Sequence, residues 1–364
     1  MKPLSALYYI RENRGRAAIV IFMFLLTTFL VMAGNFIDSV YYYFDKYIEY
    51  SDVICDVNAV ASDEDFKEFA SFLEDMKQDE NLIILPRTPK QYGGLDWVCT
   101  LGFEMGSASF VFNTPQDLQT AFDRLEVTCD CSSLKEGSVV ISKALAKQYD
   151  LKVGDVLTSD LCENIKGTYT VDALIDNDSY IVFYVINDPG SEVRINVMGK
   201  NMQGQELRDY LMNLKGDRKA DIATSEKENI DSIFGMFFPI FYAGITLLSI
   251  VLAVTVNSIL TGHYIKRSYE FGVYRAIGIS RKEIFAKCAK EILTMDLFAI
   301  LIGVVVMLLL TFLLNELLYI PVGQYLPYYS KVGIIGFVVS NLLVVIPMIC
   351  LKGISLGRVD ITEF

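Results

Sequence analysis

The sequence predicts a membrane protein: four transmembrane α-helices plus one α+β extracytoplasmic domain between the first and second spans. Three observations predict it. Four windows carry no charged residue: Ala17–Ile37 (21 residues), Ser232–Gly262 (31), Leu297–Asn315 (19) and Val332–Leu351 (20). About 20 apolar residues cross a hydrocarbon core, and core helices of soluble proteins normally show a polar face instead. The charges are divided as well. Residues 38–231 hold 36 Asp/Glu against 18 Lys/Arg, while the rest of the 364-residue chain holds 8 against 14. Finally, the acidic segment alternates helix and strand signals, as an α+β domain does.

The composition agrees. The chain is 52% hydrophobic and 21% charged, more apolar and less charged than a typical soluble domain. The apolar excess lies in blocks, which excludes a simple soluble enzyme. The net charge of −12 arises from the 38–231 segment, at −18, against +6 elsewhere, which makes nucleic acid a poor partner for that segment.

The first window exceeds the 7–15 apolar residues of a cleaved signal peptide and reads as a signal anchor. Lys2, Arg11, Arg14 and Arg16 precede it. Lys266, Arg267, Arg275, Arg281, Lys282, Lys287 and Lys290 lie between the second and third windows, and Lys352 and Arg358 follow the fourth. Only Lys331 lies between the third and fourth, so 13 of the 14 basic residues outside 38–231 fall on one side. The positive-inside rule makes that side cytosolic, with both termini. Pro239 and Pro347 fall within spans, where neighbouring helices tolerate them.

The domain 38–231 opens with Tyr41, Tyr42, Tyr43, Phe44, Tyr47 and Tyr50. These suit a membrane–water interface, or a stalk helix that transmits motion. Ser62 precedes a helix with Phe66, Phe69, Leu73 and Met76 on one face. Thr114-Pro115 opens a helix through about Arg124. Val139–Ile141 reads as a strand, followed by a short helix capped by Ser142 and ending near Tyr149. Lys152–Val156 turns into a strand, and Thr168–Ile175 and Tyr180–Ile186 read as strands. Gln205–Leu214 and Glu226–Ile233 read as helices.

Catalytic and metal signals are weak. Cys55, Cys99, Cys129, Cys131 and Cys162 lie in the external domain, an odd set that pairs incompletely within one chain. Cys129-Asp130-Cys131 is too tight for the usual zinc spacing. The sole histidine, His263, sits at a membrane edge. No G-x4-G-K-[ST] occurs, so the chain carries no P-loop.

The informative stretch is the loop 263–291. Arg267–Ile277 reads as a short helix with Phe271 and Tyr274 on one face. Gly278 suits a left-handed C-cap, and Ser280-Arg-Lys-Glu283 is a capping box that starts a second helix running into the third span. The short helix is either a basic, lipid-facing interfacial element or a docking element. In the docking reading Phe271 and Tyr274 enter a groove on a soluble partner, with Glu270 and Arg275 at the rim.

Residues Glu270–Phe285 resemble the signature of FtsX-like permeases, including the MacB type, which are membrane subunits of ABC transporters. Glu270, Gly272, Arg275, Gly278, Ser280, Glu291 and Gly303 match recurrent positions of that pattern. Glu136–Ala146, with Gly137 and Ser142, resembles the family's external core domain, as do Leu151–Asp155, with Gly154 and Asp155, and Tyr169–Val171. Ala6–Arg16 resembles its amphipathic N-terminal helix, and Val359–Glu363 its cytosolic ending.

The resemblance implies a layout. Residues 1–16 form a cytosolic amphipathic helix, spans occupy 17–37, 232–262, 292–315 and 332–351, and 38–231 is a MacB-like domain. The coupling loop is 263–291, a short external loop is 316–331, and the cytosolic C-terminus is 352–364. It also implies a non-enzymatic subunit of a dimer in a bacterial cell membrane. ATP and Mg would be held by a separate cytosolic ABC ATPase, with no cofactor on this chain. Glu270, Phe271, Gly272, Tyr274, Arg275, Gly278, Ser280 and Glu283 would couple that ATPase to the external domain. Export or extraction of a peptide, lipid or drug-like substrate would follow, with an external accessory protein as a further partner. The competing reading is a receptor or scaffold with an acidic sensor domain that meets no ATPase.

Overall fold

A computed structural model describes residues 11–59, 63–88, 93–100, 102, 104–187, 194–223 and 226–358. Residues 6–10 of the Ala6–Arg16 motif, and the whole of Val359–Glu363, lie outside them. The chain divides into two compact units, one built on 39–235 with 315–325 and the other on the remaining residues.

Among the described residues, four helices are long and apolar enough to cross a membrane. They are α1 (Arg14–Ser51), α6 (Glu226–Lys266), α8 (Arg281–Leu314) and α9 (Lys331–Arg358). Pro239 and Pro347 both sit inside helices. Each helix outruns its charge-free window because charged residues continue the helix on at least one side. After Leu314 the chain widens into a π turn, Asn315–Tyr319, and then tightens through a 3-10 turn, Ile320–Val322.

In the helical unit, small residues bring backbones together. A Cβ on Gly303 would lie 2.3 Å from the Thr28 hydroxyl. Buried Ser249 bonds Ser340 at 2.8 Å, and the Asn341 amide donates to Asp296 at 2.8 Å. Adjacent residues of α9 therefore fasten it to α6 and to α8. Polar side chains in a membrane helix face protein, because lipid offers them no partner.

The α+β unit comprises β1 (Ile54–Ala59), α2 (Asp63–Gln78), β2 (Leu82–Arg87), β3 (Asp96–Val98), β4 (Glu104–Gly106), β5 (Ala108–Phe112), α3 (Pro115–Arg124), β6 (Ser138–Ser142), α4 (Lys143–Gln148), β7 (Val156–Leu157), β8 (Tyr169–Ile175), β9 (Ile181–Val185), β10 (Arg194–Gly199), α5 (Gly204–Lys215) and β11 (Ala220–Ile222). One sheet is antiparallel, in the order β11-β1-β10-β2. The amphipathic faces of α2 (Phe69, Phe72, Met76) and α5 (Leu207, Leu211) share its core. A mixed sheet runs β5-β9-β6-β8-β7, with β9 buried at every position. Leu118, Ala121 and Phe122 of α3 pack in that sheet's core. Thr114 caps α3 as its spacing predicts, accepting from the Asp117 N–H at 3.1 Å.

The interfacial reading of the tyrosines fails at two positions. Tyr43 is 3% exposed and touches Trp97 and Tyr180. Tyr50 is buried in the core around Phe183. They face protein because α1 continues unbroken into the α+β unit. The connection 315–325 belongs to the same unit. Tyr319 donates to the Thr100 carbonyl at 2.9 Å, and the Gln324 amide bonds the Val98 carbonyl. All seven cysteines are free thiols.

Candidate functional site

The site is the connection between α6 and α8. After Lys266 the chain forms α7 (Ser268–Ala276). Gly278, at φ +90°, closes it with two reverse bonds: Ile279 N–H to the Tyr274 carbonyl at 3.0 Å, and Gly278 N–H to the Arg275 carbonyl at 3.0 Å. This pairing satisfies the last carbonyls of the helix. Ser280 then starts α8. Its N–H donates to Glu283 Oε2 at 2.8 Å, and the Glu283 N–H donates back to Ser280 Oγ at 3.3 Å. Turn and capping box fix where one helix stops and the next starts.

The two faces of α7 differ. Phe271 is 5% exposed and packs among Tyr264, Ile284 and Cys288. Tyr274 packs against the same cluster, and its hydroxyl donates to Glu270 Oε1 at 2.8 Å. Arg267 spans two carboxylates, donating to Glu270 at 2.7 and 3.1 Å and to Glu291 at 2.9 and 3.3 Å. Lys287 Nζ reaches Glu270 Oε1 at 3.1 Å, the Tyr274 hydroxyl at 3.3 Å and Glu291 at 3.8 Å. The guanidinium also lies 5.1 Å from the Phe271 ring centroid, and the ammonium 4.7 Å from that of Tyr274.

Burial disfavours ionisation of Glu270, but hydrogen bonds from Arg267, Tyr274 and Lys287 overcome it and bring its pKa down to about 2. For Arg267, burial is likewise opposed by the two carboxylates, which raise its pKa above the usual arginine value.

Phe271 and Tyr274 therefore turn inward, which corrects their expected display to a partner, while Glu270 stays part-exposed at the rim. An aromatic face three residues apart buries itself when a second helix lies beside it. The outward stripe is Tyr269 (75% exposed), Val273 (43%) and Ile277 (69%), spaced four residues apart on one helix face. Sequence reasoning missed these three. The signal was present, because the inward aromatic and ionic residues leave the opposite face for display. Arg275 is half-buried, Gly272 half-buried, and Gly278 and Ser280 exposed.

The motif residues of the α+β unit shape its turns. Gly137, at φ +86°, opens β6, and its N–H donates to the Val185 carbonyl at 2.9 Å. Ser142 caps α4, accepting from the Leu145 N–H. Gly154, at φ +101°, donates to the Val171 carbonyl at 2.7 Å, and the Asp155 carboxylate accepts from the Lys152 N–H at 2.7 Å. These residues build the mixed sheet and form no cluster with each other. An open cleft of about 570 Å³ is lined by Asp123, Glu126, Cys129 and Asp130. Among the described residues, no three His, Cys, Asp or Glu side chains converge to hold a metal ion.

Residues 236–356 match the family model of the FtsX-like permease C-terminal domain. That stretch, about a third of the chain, is similar to an FtsX-like permease domain. It includes α7, its glycine turn and the capping box, and with the four apolar helices it marks a multi-pass membrane protein. Residues 39–235 of the α+β unit and the whole of α1 lie outside the match. No curated protein matches the chain.

Proposed function

We propose that this chain is the permease subunit of a bacterial ABC transporter. In this reading it spans the cell membrane with both termini in the cytosol. A separate cytosolic ATPase binds ATP and Mg and docks on α7. ATP-driven motion of α7 passes through the spans and α1 to the external α+β unit, which handles a peptide, lipid or drug-like substrate. Two permease subunits stand over two ATPase subunits.

One observation carries the reading. Inside a stretch similar to an FtsX-like domain, a nine-residue helix is fixed on one face by ion pairs and, with its C-cap Ile277, presents Tyr269, Val273 and Ile277 on the other. An apolar helical stripe suits a groove on a protein partner. The charge division supports the orientation.

Affinity purification from mildly solubilised membranes, followed by mass spectrometry, tests it. A stoichiometric co-purifying protein with a P-loop is the expected result. Recovery of the intact chain without one, repeatedly, moves the assignment to an ATPase-independent receptor or scaffold.

A further inference from the structure

The charges behind α7 have no part in the docking stripe, yet three buried ones and Glu270 form one closed network. Arg267 is 10% exposed, Lys287 3% and Glu291 0% at the side chain; Glu270, at 37%, faces solvent at the rim. Two cations and two carboxylates balance. Arg267 occupies both carboxylates with paired N–H donors, a geometry that a planar guanidinium supplies and an ammonium does not. The members come from three places: the α6–α7 junction (Arg267), α7 (Glu270) and α8 (Lys287, Glu291). Apolar packing alone would hold α7 against α8 in several rotations of similar energy, whereas a closed ionic network permits one. Buried polar groups that fix a single register are the best-attested use of such networks.

We propose that Arg267, Lys287 and Glu291 are positioning residues that lock the rotation of α7, so that Tyr269, Val273 and Ile277 point outward before any partner binds. The proposal rests on the docking reading for its consequence, and on the geometry alone for the lock. Removing the lock leaves α7 helical but distributed over rotations. Only a fraction of molecules then presents the stripe, and apparent affinity for a partner falls by that fraction.

The test uses the full chain in nanodiscs, with Cys129 and Cys350 changed to serine. Spin labels are placed at Val273→Cys and Lys290→Cys. Without any partner, the unaltered network gives one narrow label-to-label distance distribution. Lys287→Met broadens it. Because Lys287→Met leaves Glu291 short of one cation, a second variant, Arg267→Met/Lys287→Leu/Glu291→Leu, removes the buried charges together. It folds and broadens the distribution too. Lys287→Arg restores the narrow distribution. Narrow, unshifted distributions in both disruptive variants overturn the lock.

A second readout uses the ATPase recovered by co-purification. The permease concentration giving half-maximal stimulation rises about tenfold in the triple variant, while the maximal rate changes less than twofold, as expected when about a tenth of the molecules present the stripe. An unchanged half-maximal concentration overturns the positioning role. If no ATPase responds to the unaltered chain, the docking reading fails, and the label distances still decide the lock.

Discussion

Gly34 of α1 meets Gly333 of α9 backbone to backbone: a Cβ on Gly34 would lie 2.2 Å from the Gly333 Cα. No side chain fits there, and the chain must part to admit one. Close approach of this kind drives helix association in lipid, where apolar burial contributes little. Gly34→Leu should destabilise the protein by about 1–3 kcal/mol, the usual cost of overpacking. Gly244→Leu, with nothing within 4 Å of its Cβ position, should not. Thermal unfolding of the two variants in detergent, side by side, measures the difference.

The polar fastening of α9 should prove asymmetric. Asn341 is the donor to buried Asp296, so Asn341→Leu leaves that carboxyl without its partner. Ser340→Ala removes one hydroxyl while Ser249 keeps its bond to the Ile245 carbonyl at 2.6 Å. We expect Asn341→Leu to cost about 1–2 kcal/mol and Ser340→Ala less than about 0.6 kcal/mol. Equal costs would mean that the Asp296 contact contributes no more than the serine pair.

The two faces of α7 should separate stability from coupling. Phe271→Ala empties a packed site and should cost about 3–5 kcal/mol. Ile277→Asp lies on the exposed stripe and should leave stability within about 0.5 kcal/mol, yet remove stimulation of the partner ATPase. Unfolding midpoints and ATPase rates, taken on the same preparations, check both. An Ile277→Asp protein that still couples fully would refute the docking stripe.

Glu270 gives the loop a pH signature. Its pKa falls from 4.5 to about 2 in the folded protein. A depressed carboxylate contributes stability that is fully present above its unfolded value and is lost as pH drops through its folded one. The gap in melting temperature between the unaltered chain and Glu270→Gln should therefore be constant above about pH 5.5 and close between pH 4.5 and 2. A gap that persists at pH 2 would show that the ion pairs contribute nothing to it.

Trp97, the only tryptophan, stacks on Tyr180 at 4.3 Å and 2° and is almost fully buried. Tyr43→Ala opens one side of that stack. Trp97 emission should shift to the red in this variant while far-ultraviolet dichroism stays unchanged. An unshifted spectrum would mean that Tyr43 does not shield the indole.

The sequence alone determined the elements governed by local rules. The four apolar runs declare themselves because lipid demands about 20 uncharged residues at a stretch. The Thr114, Ser142 and Ser280 caps were legible because a cap needs only a side chain within three residues of an N–H. Gly278 was legible because only glycine takes φ +90° without strain. The antiparallel sheet was not legible. β1 reads Ile-Cys-Asp-Val-Asn-Ala and β2 contains Pro86, so neither shows clean alternation. They are strands because β10, about 110–140 residues away in sequence, pairs with both. Tertiary structure also decided which face of α7 is which. Local spacing put Phe271 and Tyr274 together but could not say that Lys287 and Glu291, arriving from another helix, would claim that side. Rotation about a helix axis is set by what packs against it, and that is known only once the neighbour is in place.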